Sequence, residues 1–370
     1  MSVAGRVRHQ VLGWLLAGLA ALPLACPAES LQALPALNIA IDETSVSGLS
    51  SGAFMAAQFQ VAHSSIVKGA GIVAGGPYYC ARNSVVTATT RCSCTLDAWH
   101  KACAVSPAST DVADLVAATK RFARAGLIDD PANVARQRAF ILAGGKDQTV
   151  PATVVGQARD YFAALGMPAD NLASATLDNA GHGLPTPAYG GACALTAEPY
   201  LIDCDFDTAG KILAWIHGPL KPARTGARRG RFIRFDQTPY FPKHFSFFRS
   251  TGLDSSGWLY VPDTCHRGER CGLHVALHGC RQGQSHLPLR PQPGGGLYYG
   301  TTFVEHAGYD AWADTNHLVI LYPQAVSVPF RNPNGCWDWW GYTDRHYADK
   351  QGVQIRALRA MIDRLASGAR

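Results

Sequence analysis

The chain has 370 residues, of which 47% are hydrophobic and 16% charged, enough apolar material for a substantial core and too little charge for a disordered polymer. Its formal charge of +6 has one clear focus, the run 221–234 with Arg224, Arg228, Arg229, Arg231 and Arg234. No zinc finger or basic helix accompanies that run, so it reads as a solvated connector, and no nucleic-acid partner is expected.

At the N-terminus Arg6 and Arg8 precede an apolar stretch, 11–24, and small residues at 25–28. This is the pattern of a signal peptide cleaved after Ala28. The stretch is too short to span a bilayer and nothing later is more apolar, so no membrane-embedded segment is expected. A lipoprotein reading rests on Cys26 after Leu24-Ala25, but Pro23 stands where a lipobox prefers leucine. The expected organisation is a leader at 1–28 and a mature chain from 29 to 370, exported to the periplasm or beyond the cell.

Eleven cysteines become an even ten once Cys26 is set aside, which suits an oxidising compartment. Their clustering suggests Cys193 with Cys204, Cys265 with Cys271, and Cys280 with Cys336, leaving Cys80, Cys92, Cys94 and Cys103 to pair among themselves. Zinc at Cys92, Cys94 and His100 is the alternative, disfavoured because paired C-x-x-C knuckles are lacking.

In chain order, 39–46 reads as a strand that breaks at Gly48-Leu49-Ser50-Ser51-Gly52 into the helical run 53–62. A buried strand at 69–74 ends at Gly75-Gly76-Pro77. A helix at 111–125, a strand at 138–143, a helix at 153–165 and a strand at 173–177 follow. The second half repeats the grammar, with strands at 257–261, 273–277 and 318–322, a helix at 302–315 and an amphipathic helix at 352–365. Such alternation predicts an α/β fold with a mostly parallel sheet covered by helices on both faces. The stretch 218–230 resembles a hinge, yet neither flank supplies a complete sheet with its site, so one compact domain is expected.

Gly48 to Gly52 fits the G-x-S-x-G nucleophile elbow, in which glycines flank a serine held in a strained strand-to-helix turn. Ser50 alone has glycine two residues away on both sides. Asp147 follows a buried strand in Gly144-Gly145-Lys146-Asp147, too early to cap the next helix. His182 lies in the glycine-rich loop Asn179-Ala180-Gly181-His182-Gly183 after the next strand. Ser50, Asp147 and His182 thus occur in the order expected of an α/β-hydrolase triad, and neither metal nor cofactor is required.

The strand 273–277 runs into His278-Gly279-Cys280, the kind of segment whose backbone N–H complements that of the residue after the nucleophile. Ser51 and Cys280 are therefore the expected oxyanion donors. This segment normally precedes the nucleophile; here it follows the histidine by almost a hundred positions. The chain reads as circularly permuted, and its two ends should lie side by side. A Cys280–Cys336 bridge would bring Trp337, Trp339 and Trp340 to the cleft, with Trp337 and Trp339 as candidate substrate-wall residues.

These features are carried by longer strings: Ser47 through Gly52, Ala74-Gly75-Gly76-Pro77-Tyr78-Tyr79-Cys80-Ala81-Arg82-Asn83, 273–280, Trp312-Ala313-Asp314-Thr315-Asn316, Leu321-Tyr322-Pro323-Gln324-Ala325 and 332–339. Over nearly its whole length the sequence resembles the single-domain extracellular poly(3-hydroxybutyrate) depolymerases, circularly permuted α/β-hydrolases. The resemblance implies one catalytic domain over 29–370, with Ser50, Asp147 and His182 on the triad, Ser51 and Cys280 on the oxyanion donors, and Trp339 lining the substrate crevice. It implies hydrolysis of an insoluble short-chain polyester and adsorption through the catalytic domain's own surface; no separate binding domain is seen, and a monomer is expected. Cys94, Cys103 and the basic 221–234 run depart from the pattern. An esterase for small, feruloyl or acetyl-xylan esters is the first rival, and a non-catalytic polymer-binding protein the second.

Overall fold

A computed structural model describes residues 31–95, 102–242, 250–287 and 300–368; the expected leader, and His100 of the alternative zinc site, lie outside the described residues. The strands, in chain order, are β1 (Ile39–Leu49), β2 (Val67–Val73), β3 (Arg138–Gly144), β4 (Leu172–Leu177), β5 (Leu184–Thr186), β6 (Gly191–Ala192), β7 (Leu201–Asp203), β8 (Arg231–Asp236), β9 (Ser256–Val261), β10 (Cys271–Leu277) and β11 (Leu318–Tyr322). Eight form one sheet in the order β4-β3-β2-β1-β10-β11-β9-β8, while β5, β7 and β6 form a small separate one. The pairings from β4 across to β11 are parallel, and β9 and β8 add antiparallel at the far edge.

The apolar runs of the sequence mark strands covered on both faces. All five residues of β11 are buried, as is nearly all of β10, so neither shows the alternation of a half-exposed strand. The edge strand β8 escapes sequence reading because arginines at 231 and 234 interrupt its apolar positions; charge at an edge also discourages pairing with another chain. The helix Ser51–Ala62 is buried along its whole length. The expected helix at 302–315 is instead two, Thr302–His306 and Tyr309–Asn316, divided at Gly308, whose φ of 88° is left-handed and interrupts the helical backbone.

Two features follow from the unusual chain order. Strand β10 lies beside β1, with Gly48 opposite Leu277, although more than 200 residues separate them. The ends of the described chain meet: Leu37 donates its N–H to the Leu365 carbonyl at 2.8 Å, and the Arg364 guanidinium bonds the Leu34 carbonyl at 2.8 Å.

The 218–230 stretch does not divide two sheets, because β8 and β9 beyond it complete the sheet begun by β1. Nor is it simply a solvated connector. Arg224 pairs with Asp314 and Arg228 with Asp310, carboxylates whose side chains are 1% and 5% exposed. Asp314 also accepts the Tyr260 hydroxyl at 2.7 Å and the Gly230 N–H at 2.9 Å. Burial makes those carboxylates need partners, and the arginines supply them. Arg229 and Arg231 remain exposed.

Five disulfides tie the loops: Cys80–Cys92, Cys94–Cys103, Cys193–Cys204, Cys265–Cys271 and Cys280–Cys336. The four cysteines whose pairing was open thus join as near neighbours in sequence. Among the described residues no helix is long and apolar enough to cross a membrane, and no group of three or more His, Cys, Asp or Glu is placed to hold a metal ion.

Candidate active site

Ser50 sits at the end of β1 with φ 55° and ψ −121°, outside the regions that non-glycine residues favour. Its N–H donates to the Val73 carbonyl at 2.9 Å, fixing the turn against β2. The flanking glycines are there for space. A Cβ on Gly48 would lie 2.3 Å from the Gly52 backbone, and one on Gly52 would lie 2.4 Å from the carbonyl oxygens of both Leu277 and His278. Bare backbone at Gly52 therefore lets the Ser50 turn touch the end of β10. Gly52→Ala is expected to cost at least about 2 kcal/mol and most of any esterase activity, because the new methyl would meet the backbone of Leu277 and His278, which cannot swing aside; chemical denaturation and ester turnover check it.

Asp147 and His182 arrive from the loops after β3 and β4, at the same carboxyl end of the parallel sheet. Gly144 and Gly145 allow these two loops to lie in backbone contact, since a Cβ on either would lie 2.6 Å from the carbonyl oxygen of Ala180 or Asp178 respectively. Lys146 N–H to Ala180 O, 2.9 Å, and Gly145 N–H to Leu177 O, 2.8 Å, join them. The small sheet backs the histidine loop, for Gly181 N–H reaches the Cys193 carbonyl at 2.8 Å and His182 N–H reaches Thr196 Oγ1 at 2.8 Å.

The outcome is a continuous polar chain. His182 Nε2 lies 2.9 Å from Ser50 Oγ, and His182 Nδ1 lies 2.7 Å from Asp147 Oδ2. The other oxygen, Oδ1, accepts the N–H groups of Thr149 and Val150, both at 2.8 Å, so the carboxylate is held by its own loop. Asp147 is 2% and His182 5% exposed, while Ser50 is half-buried. With the carboxylate on Nδ1, the imidazole carries its proton there and turns a lone pair on Nε2 towards the serine hydroxyl. Such a chain can take the serine proton as the oxygen attacks an electrophile.

No protein-family model matches the sequence. Among curated proteins, the poly(3-hydroxybutyrate) depolymerase of Delftia acidovorans is 39% identical over 90% of this chain, which spans 62% of that relative's length. The polyhydroxybutyrate depolymerase of Talaromyces funiculosus is 34% identical over 96% of this chain and 97% of its own. The chain belongs to the polyhydroxybutyrate depolymerase family. Two solved depolymerase structures agree, the enzyme from Penicillium funiculosum and a serine-to-alanine PHB depolymerase complexed with an R3HB trimer. Each has a TM-score of 0.78 and 33% identity, covering 92% of this chain and all of the other.

Within the tryptophan segment, Trp337 and Trp339 pack in different surroundings. Trp339 is 7% exposed and stacks on Phe54 of the Ser51–Ala62 helix, with ring centroids 4.1 Å apart. Trp337 is completely buried and packs 5.5 Å from the His278 ring. It is therefore core, not substrate wall, and its backbone N–H donates to the buried Ser51 hydroxyl at 3.3 Å.

Sequence reasoning missed Asp338, the hub of this segment. Its buried carboxylate accepts the N–H groups of Gly341 at 2.7 Å, Tyr342 at 3.0 Å and Thr343 at 2.9 Å, besides the Thr343 hydroxyl. Burial pushes its pKa up to about 6, with those hydrogen bonds pulling the other way. Asp338→Asn would point an amide NH2 at donors, so we expect about 1–3 kcal/mol of lost stability, measurable by guanidinium unfolding followed through tryptophan fluorescence.

Proposed function

We propose that the protein is a secreted serine esterase that hydrolyses the ester bonds of poly(3-hydroxybutyrate) or a related short-chain polyhydroxyalkanoate. The observation that carries this reading is the unbroken hydrogen-bonded chain Ser50–His182–Asp147 at the end of β1. Ser50 Oγ attacks the ester carbonyl while His182 Nε2 takes its proton. The carbonyl oxygen becomes an oxyanion between the N–H groups of Ser51 and Cys280. On collapse, His182 returns the proton to the leaving hydroxyl of the polymer chain, and an acyl group stays on Ser50. Water, deprotonated by His182, then releases the acid. Asp147 keeps the imidazole in the required tautomer and stabilises it when charged.

Substrate class is supported by the names of the relatives as polyhydroxybutyrate depolymerases and by the R3HB trimer bound in one solved neighbour. Export is supported by the leader pattern and by five disulfides, which persist in oxidising compartments. Trp339 forms part of the crevice wall, and the enzyme acts as a monomer. The deciding experiment is clearing of a poly(3-hydroxybutyrate) suspension by the mature protein. Turnover of soluble aryl or acetyl esters without any clearing would favour the small-ester reading instead, and failure of a fluorophosphonate to label Ser50 would favour a non-catalytic binder.

A further inference from the structure

The two peptides that meet at Gly279 are each held by a side chain that takes no part in the triad. His278 is fully buried, and its Nε2 accepts the Ala325 N–H at 3.0 Å. The ring's proton therefore resides on Nδ1, which lies 2.7 Å from the Gly279 carbonyl oxygen and donates to it. Burial also pushes the pKa of this imidazole down to about 4, which keeps that neutral tautomer in place near neutral pH. On the other side, Gln282 Oε1 accepts the Gly279 N–H at 2.6 Å. The Gln282 amide donates to the Pro199 carbonyl at 2.9 Å and the Tyr200 carbonyl at 3.2 Å, in the segment that follows the histidine loop.

The geometry matters because the Gly279 carbonyl and the Cys280 N–H belong to one planar trans peptide, in which they point in opposite directions. Fixing the carbonyl on His278 fixes where the N–H points. A hydrogen bond to the carbonyl also polarises the amide and strengthens its N–H as a donor. The Gln282 bond stops the preceding peptide from rotating, and the Cys280–Cys336 bridge anchors the following side chain. Gly52 presses against the His278 main-chain oxygen, which ties this clamp to the nucleophile turn.

We propose that His278 and Gln282 are positioning residues that orient the Cys280 N–H as an oxyanion donor. This rests on the serine-esterase reading above. The test separates alignment from stability. The full mature chain is assayed on p-nitrophenyl butyrate, with active sites counted by fluorophosphonate titration. Affinity for butaneboronic acid, which forms a tetrahedral adduct on the serine, is measured in parallel.

His278→Phe and Gln282→Met are expected to lower kcat per titrated site about 10- to 100-fold, with KM within about twofold, and to weaken boronate binding by a similar factor. His278→Asn, whose amide retains a donor at the Nδ1 position, is expected to recover most of the loss. A merely structural role would lower the number of titrated sites or the melting temperature while leaving kcat per site and boronate affinity unchanged. That result in Gln282→Met, or in His278→Phe, overturns the proposal, as does a His278→Asn variant no better than His278→Phe. If His278→Phe does not fold, Gln282→Met decides. Failure of the unmodified protein to be titrated at Ser50 would instead remove the esterase reading itself.

Discussion

Replacing Ser50 with alanine is expected to lower soluble-ester turnover by about 10⁴- to 10⁶-fold and to abolish polymer clearing, with no loss of fold. The hydroxyl is the atom 2.9 Å from His182 Nε2, and a methyl in its place has no electrons to offer. The backbone is held by neighbours and not by that hydroxyl, since the Ser50 N–H bonds Val73 and both flanking glycines are in close backbone contact. Ser50→Gly should be equally inactive and about 1 kcal/mol more stable, because glycine relieves the φ of 55°. Asp147→Asn should lose about 10⁴-fold for a different reason. Its oxygen would stay on the Thr149 and Val150 N–H groups, turning the amide NH2 towards His182 Nδ1. The imidazole would then carry its proton on Nε2 and could not accept one from Ser50. Turnover per mole of folded protein, with unfolding midpoints in parallel, checks all three; an alanine variant that retains substantial turnover refutes the nucleophile.

Acid should destabilise the protein as soon as the pH falls below 6.5. His63, His217 and His278 are buried so deeply that each pKa is pushed down to about 4, and that of His274, locked between Ser45 and Ser47, falls further. Below pH 6.5 the unfolded chain binds protons at these positions and the native chain does not. Stability is therefore fully present above that value and is lost as pH falls towards 4, on the order of 3 kcal/mol for each of the three. Asp338 runs the other way: its carboxyl, raised to about 6, gains a proton in the native state first and offsets roughly one histidine over the same window. The net expectation is a fall of several kcal/mol between pH 6.5 and 4.5, seen as a steadily decreasing guanidinium midpoint. His63→Gln should flatten that slope, and a midpoint independent of pH would exclude buried neutral histidines as its cause.

Local steric and periodic signals made much of this molecule legible before any coordinates. The strained turn at Ser50 needs Gly48 and Gly52, so its sequence announces it. Asp147 and His182 stand directly after apolar strands, in loops whose glycines let two backbones touch. Cys193–Cys204 and Cys265–Cys271 close short loops, and the late position of 273–280 foretold that the ends would meet. Each of these depends on residues near one another in the chain.

What escaped depends on contacts made across the sheet. Nothing in the neighbourhood of Trp337 distinguishes it from Trp339; only tertiary packing sets one against His278 and the other against Phe54. Arg224 and Arg228 look solvated until Asp314 and Asp310 are placed beside them. His278 and Gln282 show no local pattern as a clamp, because their partners Ala325 and Pro199 come from other loops. Short-range sterics and periodicity were enough for most of the parallel strands and for the turns that carry Ser50, Asp147 and His182, but not for β8 or for the break at Gly308. Tertiary structure alone decided which polar groups would be buried and by what they would be satisfied. A buried donor or acceptor must find its partner wherever folding brings one, whatever the distance along the chain.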